Sequence, residues 1–407
     1  MRAITPDELP AWVNTNFVAF HNDGSVADAV AYHTERLAGQ VDRCLATFDG
    51  PHLVGTYESF ATELTLPGGA CLPTNAVTAV AVLPTHHRRG ALTRMLTQDM
   101  RAARERGEAG SILLASEYPI YGRFGFGPAT TAAAYRLEIA SARFTDAASG
   151  RIELIEPEAL RQIAPDIFET IRHSVPGQIS RRPFTWDTRL GLRARPWRGG
   201  EQRPRCALYT HPTGEPEGYL VYRVDRQWAN RLPSTTLQVD ELATLTPAAY
   251  LGLWRYMAEV DLISDITIAG RPTDEPLAWL LTNPRRALQQ TARSDFLWLR
   301  ALDTPRLLAG RRYAAEDRLV LDVEDPLDLA GGRFALEVGP SGADCRPSTA
   351  TPDLRLGMHA LGAISLGGVS LHTLHAAGRI VEERSGSLAR AERMFHSEIA
   401  PWCSTFF

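Results

Sequence analysis

Apolar and polar positions in the first third of the chain follow two different periods. Short, mostly apolar runs typical of strands stand at CLATF, HLVGTYESFATEL, NAVTAVAVLP and SILLA. VADAVAYHTERLAG has a helical pattern, and a second helix is predicted from about residue 88 to 106. The apolar positions of this second helix fall on one face: Leu92, Met95, Leu96, Met100 and Ala103. Alternating strands and helices predict an α/β or α+β domain over residues 1–142.

Residues 150–297 repeat part of this plan. EPEALRQIAPDIFETIRHSV is helical in pattern, and RCALYTH and GYLVYRV are strand-like. The stretch LQVDELATLTPAAYLGLWRYMAEVD (237–261) again gives a strand, a turn with proline and a helix. It has Thr244, Leu245, Thr246 and Pro247 where the first copy has arginines and a glycine. We interpret it as a weak internal repeat: a second domain of the same fold.

Residues 298–407 form a third segment. RLVLDVEDPL and GRFALEVG are predicted to be paired strands, and SLARAERMFHSEIAPWCSTFF is predicted to be a helix, a proline stop and an apolar tail. Chain termini are usually polar and frayed, whereas this chain ends in Phe406 and Phe407. Either the tail packs against another part of the protein, or its carboxylate has a function.

Composition and charge limit the functional classes. The chain has 407 residues, of which 44% are hydrophobic and 22% charged, as in soluble proteins with two or three domains. A net charge of -4 argues against a nucleic-acid-binding protein. No apolar run approaches a membrane span, and the first residues have no apolar core of a secretory signal. We therefore expect no membrane partner and a cytoplasmic location.

The five cysteines are far apart and form no CxxC pair, which favours reduced thiols over a zinc ribbon or a disulfide framework. Cys403 could be a nucleophile, but a buried structural role is the expectation. His86 and His87 have no partner at metal-ligand spacing and are predicted to be turn residues. No metal site is therefore expected.

The densest chemical signal is VTAVAVLPTHHRRGALTRML (77–96), where a strand, a proline and basic residues precede a helix. The first turn of a helix leaves backbone N–H groups unpaired and suits a phosphate. Arg88 and Arg89 add charge with fork geometry, and Gly90 permits close backbone approach. The alternative is an ordinary helix start with solvated arginines.

This stretch resembles the acetyl-CoA motif Q/R-x-x-G-x-G/A of GNAT acetyltransferases. Gly90 stands at the glycine position, while His87 and Leu92 depart from the motif. About 30 residues further along, YGRFGF from Tyr121 fits the GNAT pattern Y-x-x-x-G-F. PTHHRRGALTRM, LLASEYPIYGRFGFGPATT, YLVYRVDR, LWLRALDTP and the terminal Phe407 resemble, in this order, the enhanced intracellular survival (Eis) acetyltransferases. The resemblance spans nearly the whole chain.

The resemblance implies a fold and an activity. It implies an α+β protein with tandem GNAT-like domains and a C-terminal domain like a sterol carrier protein. The catalytic domain would span 1–142, the GNAT-like domain without cofactor 150–297, and the third domain 298–407. The implied activity is acetyl transfer from acetyl-CoA to a primary amine, such as an aminoglycoside or a lysine side chain, by a homohexamer.

The resemblance also implies the roles of individual residues. Tyr121 would protonate the leaving thiolate, and the carboxylate of Phe407 would take a proton from the amine, its pKa raised by burial beside Trp402 and Phe406. The cofactor-binding residues would be Val80, Ala81 and Val82 for the pantetheine arm, Arg88, Arg89, Gly90, Ala91, Leu92 and Thr93 for the pyrophosphate, and Ser116 and Glu117 beside them. The alternative for Tyr121 is a core tyrosine that anchors a turn.

The acceptor is less strongly specified. Asp23, Glu35 and Glu117 are candidate acids for a polycation pocket, or else surface charges. Phe406 beside the terminus and the small Ala79 favour apolar or aromatic amines.

Three functions other than acetyl transfer are compatible with a chain of this size and composition. One alternative is a lipid- or small-molecule-binding protein that uses the third domain. A serine hydrolase is excluded because no G-x-S-x-G is present, and a dinucleotide enzyme because GRFGFG has the wrong glycine spacing.

Overall fold

The computed structural model describes residues 1–147, 149–196 and 202–407, and its strands form three large β-sheets. The first part of the chain contains seven strands and four α-helices. They are β1 (Arg2–Ala3), α1 (Leu9–Ala19), α2 (Val26–Arg36), β2 (Cys44–Asp49), β3 (His52–Thr65), β4 (Cys71–Val82), α3 (Ala91–Glu105), β5 (Gly110–Leu114), α4 (Tyr118–Tyr121), β6 (Gly127–Pro128) and β7 (Thr131–Glu138).

The central part follows the same alternation. Its elements are β8 (Arg151–Ile155), α5 (Pro157–Ser174), α6 (Pro183–Arg189), β9 (Arg205–Thr210), β10 (Pro216–Asp225), β11 (Trp228–Ala229), β12 (Leu232–Pro233), β13 (Thr235–Thr244), α7 (Pro247–Glu259), β14 (Ile263–Arg271), α8 (Pro284–Ala287), β15 (Leu288–Asp295) and β16 (Leu297–Ala301).

The last part is shorter and contains both helices and strands. Its elements are α9 (Thr304–Ala309), β17 (Asp317–Glu324), β18 (Gly332–Gly339), β19 (Gly342–Pro347), β20 (Leu354–Gly357), α10 (Met358–Ile364), α11 (Leu371–Ala376), β21 (Ile380–Glu382) and α12 (Ser387–Phe395). The predicted strand pair is confirmed, because β17 and β18 are antiparallel neighbours.

Helix α3 packs one apolar face on the first sheet. Met95, Leu96, Met100 and Ala103 are fully buried, whereas Leu92 at the start of the helix is half-buried. The predicted face is therefore the packed face, as expected for a helix that covers a sheet on one side only. The predicted helix at 88–106 begins three residues later than expected, because Arg88 has a positive φ of 61°.

The first two sheets exchange strands. The first sheet has the order β1-β2-β3-β4-β5-β16-β6, and the second β15-β7-β14-β13-β10-β9-β8. Strand β7 thus pairs in the second sheet although it lies within residues 1–142, and β16 returns to the first sheet. The predicted bounds at 142 and 297 cut through both sheets, because apolar patterning marks a strand without specifying its partner. Residues 197–201 of the segment 150–297 lie outside the described residues.

The third sheet (β19-β18-β17-β20-β21) docks on the first through α10. The close contact depends on a glycine, because a Cβ at Gly362 would lie 2.0 Å from the carbonyl oxygen of Leu299 in β16. One hydrophobic core runs from Phe60 in the first sheet to Leu321 and Phe395 in the last part of the chain. Among the described residues, no helix combines the length and the apolar character needed to cross a bilayer.

Candidate active site

Strands β4 and β5 diverge and leave an open backbone edge. Their parallel pairing covers only Thr74–Val77 of β4, which continues to Val82. Ala79 has a positive φ of 50°, and its carbonyl oxygen accepts hydrogen bonds from Asn16 and Thr56. This bulge lies where the strands separate. The edge from Val80 to Val82 can therefore pair with an extended ligand as an added strand would.

Two of the predicted cofactor residues lie at the mouth of this cleft. Val80, beyond the paired part of β4, and Ser116, shortly after β5, line one cavity. Glu117 is the exposed residue before α4 and does not line that cavity in the described chain. The carbonyl of Val82 is contacted by Nε2 of His87 at 2.8 Å, which ties the turn to the strand edge.

The N-terminus of α3 has the features of an anion site. Gly90 is the N-cap residue, with a left-handed φ of 76° and no side-chain cap. The first intrahelical bond runs from the N–H of Arg94 to the carbonyl of Gly90, so the N–H groups of Ala91, Leu92 and Thr93 have no partner within the helix. Free N–H groups and the helix dipole favour a phosphate here.

The neighbouring arginines are exposed. Arg88 and Arg89 stand at the surface beside this turn, and Arg89 lies 4.0 Å from Asp49. His86 contacts the same Asp49 through Nε2 at 3.1 Å. The turn PTHHRRG therefore presents two exposed guanidinium groups next to open backbone donors.

Tyr121 ends α4 and points its ring into the protein. The residue is only 7% exposed, and its ring packs edge-on against Phe126 at 6.2 Å between centroids. In the described part of the chain its hydroxyl makes no hydrogen bond, and the residue lines the same cavity as Val80 and Ser116. Burial, with a smaller effect of Glu117, raises the pKa of Tyr121 to about 12. The phenol is therefore protonated throughout the physiological range.

The loop after Tyr121 is fixed by Arg300 on β16. Gly125 has a φ of 84°, and a Cβ there would lie 2.1 Å from Nη1 of Arg300. Arg300 donates to the carbonyl of Phe124 and binds both carboxylate oxygens of Asp325 at 2.8 Å. Only glycine satisfies both the backbone angle and the space. The ion pair thus holds the loop that carries Tyr121.

The C-terminal tail reaches the same cavity. The ring of Phe407 packs edge-on against Phe60 at 5.5 Å between centroids, and Tyr121 and Phe407 line one cavity of about 600 Å³. We call it the interdomain cavity; it lies between α2, α6, the end of β4 and the tail 405–407. Its volume suits a small-molecule site.

The expected packing of Trp402 and Phe406 around the terminal carboxylate is wrong. Phe406 is 72% exposed, and Trp402 lies in another cleft, where its indole N–H donates to the carbonyl of Gly270. A buried indole needs an acceptor, and β14 provides one. The aromatic neighbour of Phe407 is Phe60, which the sequence pattern did not single out.

A buried charge cluster anchors the tail. Glu241 on β13 binds Arg181 at 2.6 Å and Arg189 at 2.7 Å. Burial raises the pKa of Glu241, but the two guanidinium charges outweigh it and lower the pKa to about 2. Arg181 donates to the hydroxyl groups of Ser404 and Thr405, and Arg189 to the carbonyl of Ser404. The central sheet therefore fixes the tail two residues before the terminus.

None of the three candidate pocket acids lines the interdomain cavity. Asp23 and Glu117 are exposed, and Glu35 is ion-paired with Arg193. The sequence patterns did not single out the segment 179–196. Its residues Arg182 and Phe184 line the cavity from the central part of the chain. The available signal was the unusual density of arginine and aromatic residues in RRPFTWDTRLGLRARP.

The central copy contains a comparable cleft with different chemistry. Parallel pairing of β13 and β14 ends at Val239 and Ile268, and Trp402 lines the opening beyond. At the start of α7, Pro247 has no N–H, and the side chain of Thr246 accepts the N–H of Ala249. The helix start therefore offers fewer open donors than that of α3.

The burial of Cys403 argues against a nucleophilic role for its thiol. Its thiol is fully buried, and burial raises the pKa to about 11. A thiol of this kind is a poor nucleophile.

Comparison with known proteins agrees with this architecture. Acetyltransferase (GNAT) domain families match residues 1–129 and 177–301, and the sterol carrier protein domain family matches residues 304–404. These matches confirm the predicted fold of tandem GNAT domains followed by a sterol-carrier-like domain.

Three relatives cover most or all of the chain. An uncharacterized N-acetyltransferase from Streptomyces avermitilis is 37% identical over 100% of this chain and 98% of its own length. N-acetyltransferase Eis from Mycobacterium tuberculosis is 37% identical over 86% of this chain and 85% of its own length. The crystal structure of Eis1 from Mycobacterium abscessus superimposes with a TM-score of 0.87 at 31% identity, covering 100% of this chain and 99% of that chain.

Proposed function

Because the chain belongs to the Eis family of GNAT N-acetyltransferases, we propose that it transfers the acetyl group of acetyl-CoA to a primary amine. Its GNAT domains and its relatives make it an N-acetyltransferase that uses an acyl-CoA donor. The choice of acetyl-CoA, the acceptor and the roles of individual residues belong to the proposal.

The observation that carries the proposal is the convergence on one cavity. Val80 at the open edge, Tyr121 and the last residue, Phe407, all line it. The edge from Val80 to Val82 suits the extended pantetheine arm, and the N–H groups of Ala91 to Thr93 with Arg88, Arg89 and Gly90 suit the pyrophosphate. Ser116 lies at the mouth between them, with Glu117 next to it outside the cavity.

When bound, acetyl-CoA supplies the thioester whose carbonyl carbon the amine attacks. The carboxylate of Phe407 accepts a proton from the amine as the C–N bond forms. Tyr121 keeps its proton and donates a hydrogen bond from its hydroxyl to the sulfur as the C–S bond breaks, and the leaving thiolate takes a proton from solvent. A phenol with a pKa near 12 is a weaker acid than a thiol with a reference pKa of about 8.5, so its role is to stabilise developing charge by a hydrogen bond.

A panel of amines tests the proposal. Native-ended protein is mixed with acetyl-CoA and each amine, and the released thiol is measured together with the acetylated product by mass spectrometry. Propionyl-CoA and a reaction without amine serve as controls. Amine-dependent thiol release with a matching N-acetyl product supports the proposal. Thiol release without any amide product, or none with any amine, contradicts it.

The finer assignments rest on the family resemblance. We propose an aminoglycoside, a lysine side chain or a smaller amine as the acceptor class, a homohexamer as the assembly, and the cytoplasm as the location. The wide spacing of the five cysteines is in keeping with a reducing compartment. The alternative of a lipid-carrying protein is not favoured.

A further inference from the structure

The walls of the interdomain cavity are basic. Among the described residues that line it there is no Asp or Glu, and the one acidic group placed there is the carboxylate of Phe407 that we propose as the base. The lining side chains with a positive charge are Arg36, Arg182, Arg189 and Arg195. His33 also lines the cavity, but burial and then the charge of Arg36 lower its pKa to about 3, so it is neutral.

Two of these four guanidinium groups have carboxylate partners among the ion pairs of the described residues. Arg36 binds the fully buried Glu58, and Arg189 shares the single carboxylate of Glu241 with Arg181 directly behind the wall. Arg195 has an interaction partner of its own. Four guanidinium groups therefore face two carboxylates here: Arg36, Arg181, Arg182 and Arg189 against Glu58 and Glu241. The excess of two positive charges exceeds the one charge of the chain terminus.

Arg182 carries the excess that faces the cavity. Its guanidinium donates to the side-chain oxygen of Gln40 at 3.1 Å and lies 4.2 Å from the centre of the Phe60 ring. In the described chain no carboxylate comes within 4.0 Å of it. Burial, and then the neighbouring charge of Arg36, lower the pKa of Arg182. A half-buried cation of this kind is stabilised by a bound anion.

The rest of the wall is aromatic. Tyr32 and Phe184 pack edge-on at 4.8 Å between centroids and join α2 to α6, and Phe60 lies under Arg182. The cavity thus offers an apolar surface with one unpaired cationic group. A multiply charged cation would meet several positive charges there without an acid to bind.

Resting on the proposed function, we propose that the acceptor is a primary amine with an apolar body and a carboxylate, and that Arg182 binds the carboxylate. The amine is then directed towards Tyr121 and Phe407, which line the same cavity. Positive charges nearby also disfavour the ammonium form, so the cavity favours the neutral amine that attacks.

Matched acid and amide acceptors test this. Aminomethylbenzoate is compared with its primary amide, and an aliphatic ω-amino acid with its amide, because each pair keeps the shape and changes the charge. In the native full-length protein kcat/KM is expected to be at least about tenfold higher for each acid, the usual effect of a hydrogen bond to a charged group. Thermal unfolding is measured in parallel.

Two variants assign the effect to Arg182. Arg182→Gln should lower kcat/KM for the acids at least about tenfold and leave the amides within about twofold, while Arg182→Lys should keep part of the preference. Arg101→Gln removes an exposed charge outside the cavity. It should leave kcat/KM unchanged for both the acids and the amides. Amides as good as the acids, or a preference that Arg182→Gln does not reduce, would overturn the inference. Absence of turnover with every amine would overturn the proposed function as well.

Discussion

At the scale of single residues, Tyr121 is a buried tyrosine whose hydroxyl has no partner in the described chain. We predict that Tyr121→Phe folds normally, binds acetyl-CoA with unchanged affinity and loses a factor of about 10²–10³ in kcat, the usual loss when one donor to the developing charge is removed. The ring and its packing against Phe126 remain, so only the hydroxyl is tested. Steady-state kinetics and calorimetric titration of acetyl-CoA measure the two effects.

Tyr118 provides the matched control for this prediction. It lies on the same short helix, is 62% exposed and packs against Trp298, so Tyr118→Phe should leave kcat unchanged. Activity of Tyr121→Phe within about threefold of the native enzyme would leave Tyr121 as a core residue that anchors the turn.

At the scale of elements, the start of α3 presents open N–H groups with two exposed arginines beside them. We predict that the double change of Arg88 and Arg89 to alanine raises the KM for acetyl-CoA by about tenfold or more and changes kcat little. The lost contacts serve ground-state binding to the phosphates, and such losses appear in KM. Arg101→Ala on the exposed face of the same helix is the control. A fall in kcat at constant KM would contradict this role.

The anchor of the tail makes a second element-scale prediction. Glu241→Gln leaves Arg181 and Arg189 buried without a counter-charge, so the segment Ser404–Thr405 should loosen. We expect kcat to fall at least about tenfold, because a displacement of roughly 1 Å can cost 10²-fold. Acetyl-CoA affinity should stay within about twofold, since the open edge of β4 is untouched.

The control for the anchor is the next residue. Asp240 is exposed and paired with Arg223, so Asp240→Asn should preserve kcat. Breaking a buried pair costs about 3–5 kcal/mol, and the free energy of unfolding of Glu241→Gln is measured to separate loosening from global unfolding. A well-folded Glu241→Gln variant with native kcat would show that the anchor does not position the terminus.

The elements differ in how far the sequence predicts them. The amphipathic pattern of α3 locates both its packed face and its free N-terminus, because both are local properties. The pairings of β7 and β16 are not local: each run is apolar, but its local pattern does not specify which sheet edge it joins. Tyr121 and Phe407 could be identified from the sequence because they match family motifs. Arg182 could not, because its role depends on the position of α6 opposite α2.

At the scale of the whole molecule, two GNAT copies share one chain but differ at the helix start. We predict that calorimetric titration gives one acetyl-CoA site per chain. In the central copy Pro247 has no N–H, Thr246 caps the helix and Trp402 lines the cleft. Trp402→Ala should therefore leave the stoichiometry near one, because removing the indole adds no phosphate donors. A stoichiometry of two for the native protein would contradict the silent central copy.

The tail joins all three parts of the molecule, since it leaves the third sheet, is anchored on the second and ends in the cavity of the first. If the carboxylate of Phe407 is the base, its position matters more than its side chain. One alanine added after Phe407 moves the carboxylate by up to about 3.5 Å and converts the old one into a neutral amide. We predict that this extension nearly abolishes kcat, as removal of Phe407 would, while acetyl-CoA affinity and mass in solution stay unchanged.

Phe406→Ala, at a residue that is 72% exposed, is the control and keeps the carboxylate in place. If the extended enzyme turns over at the native rate, the terminal carboxylate is not the base and Glu117 becomes the next candidate.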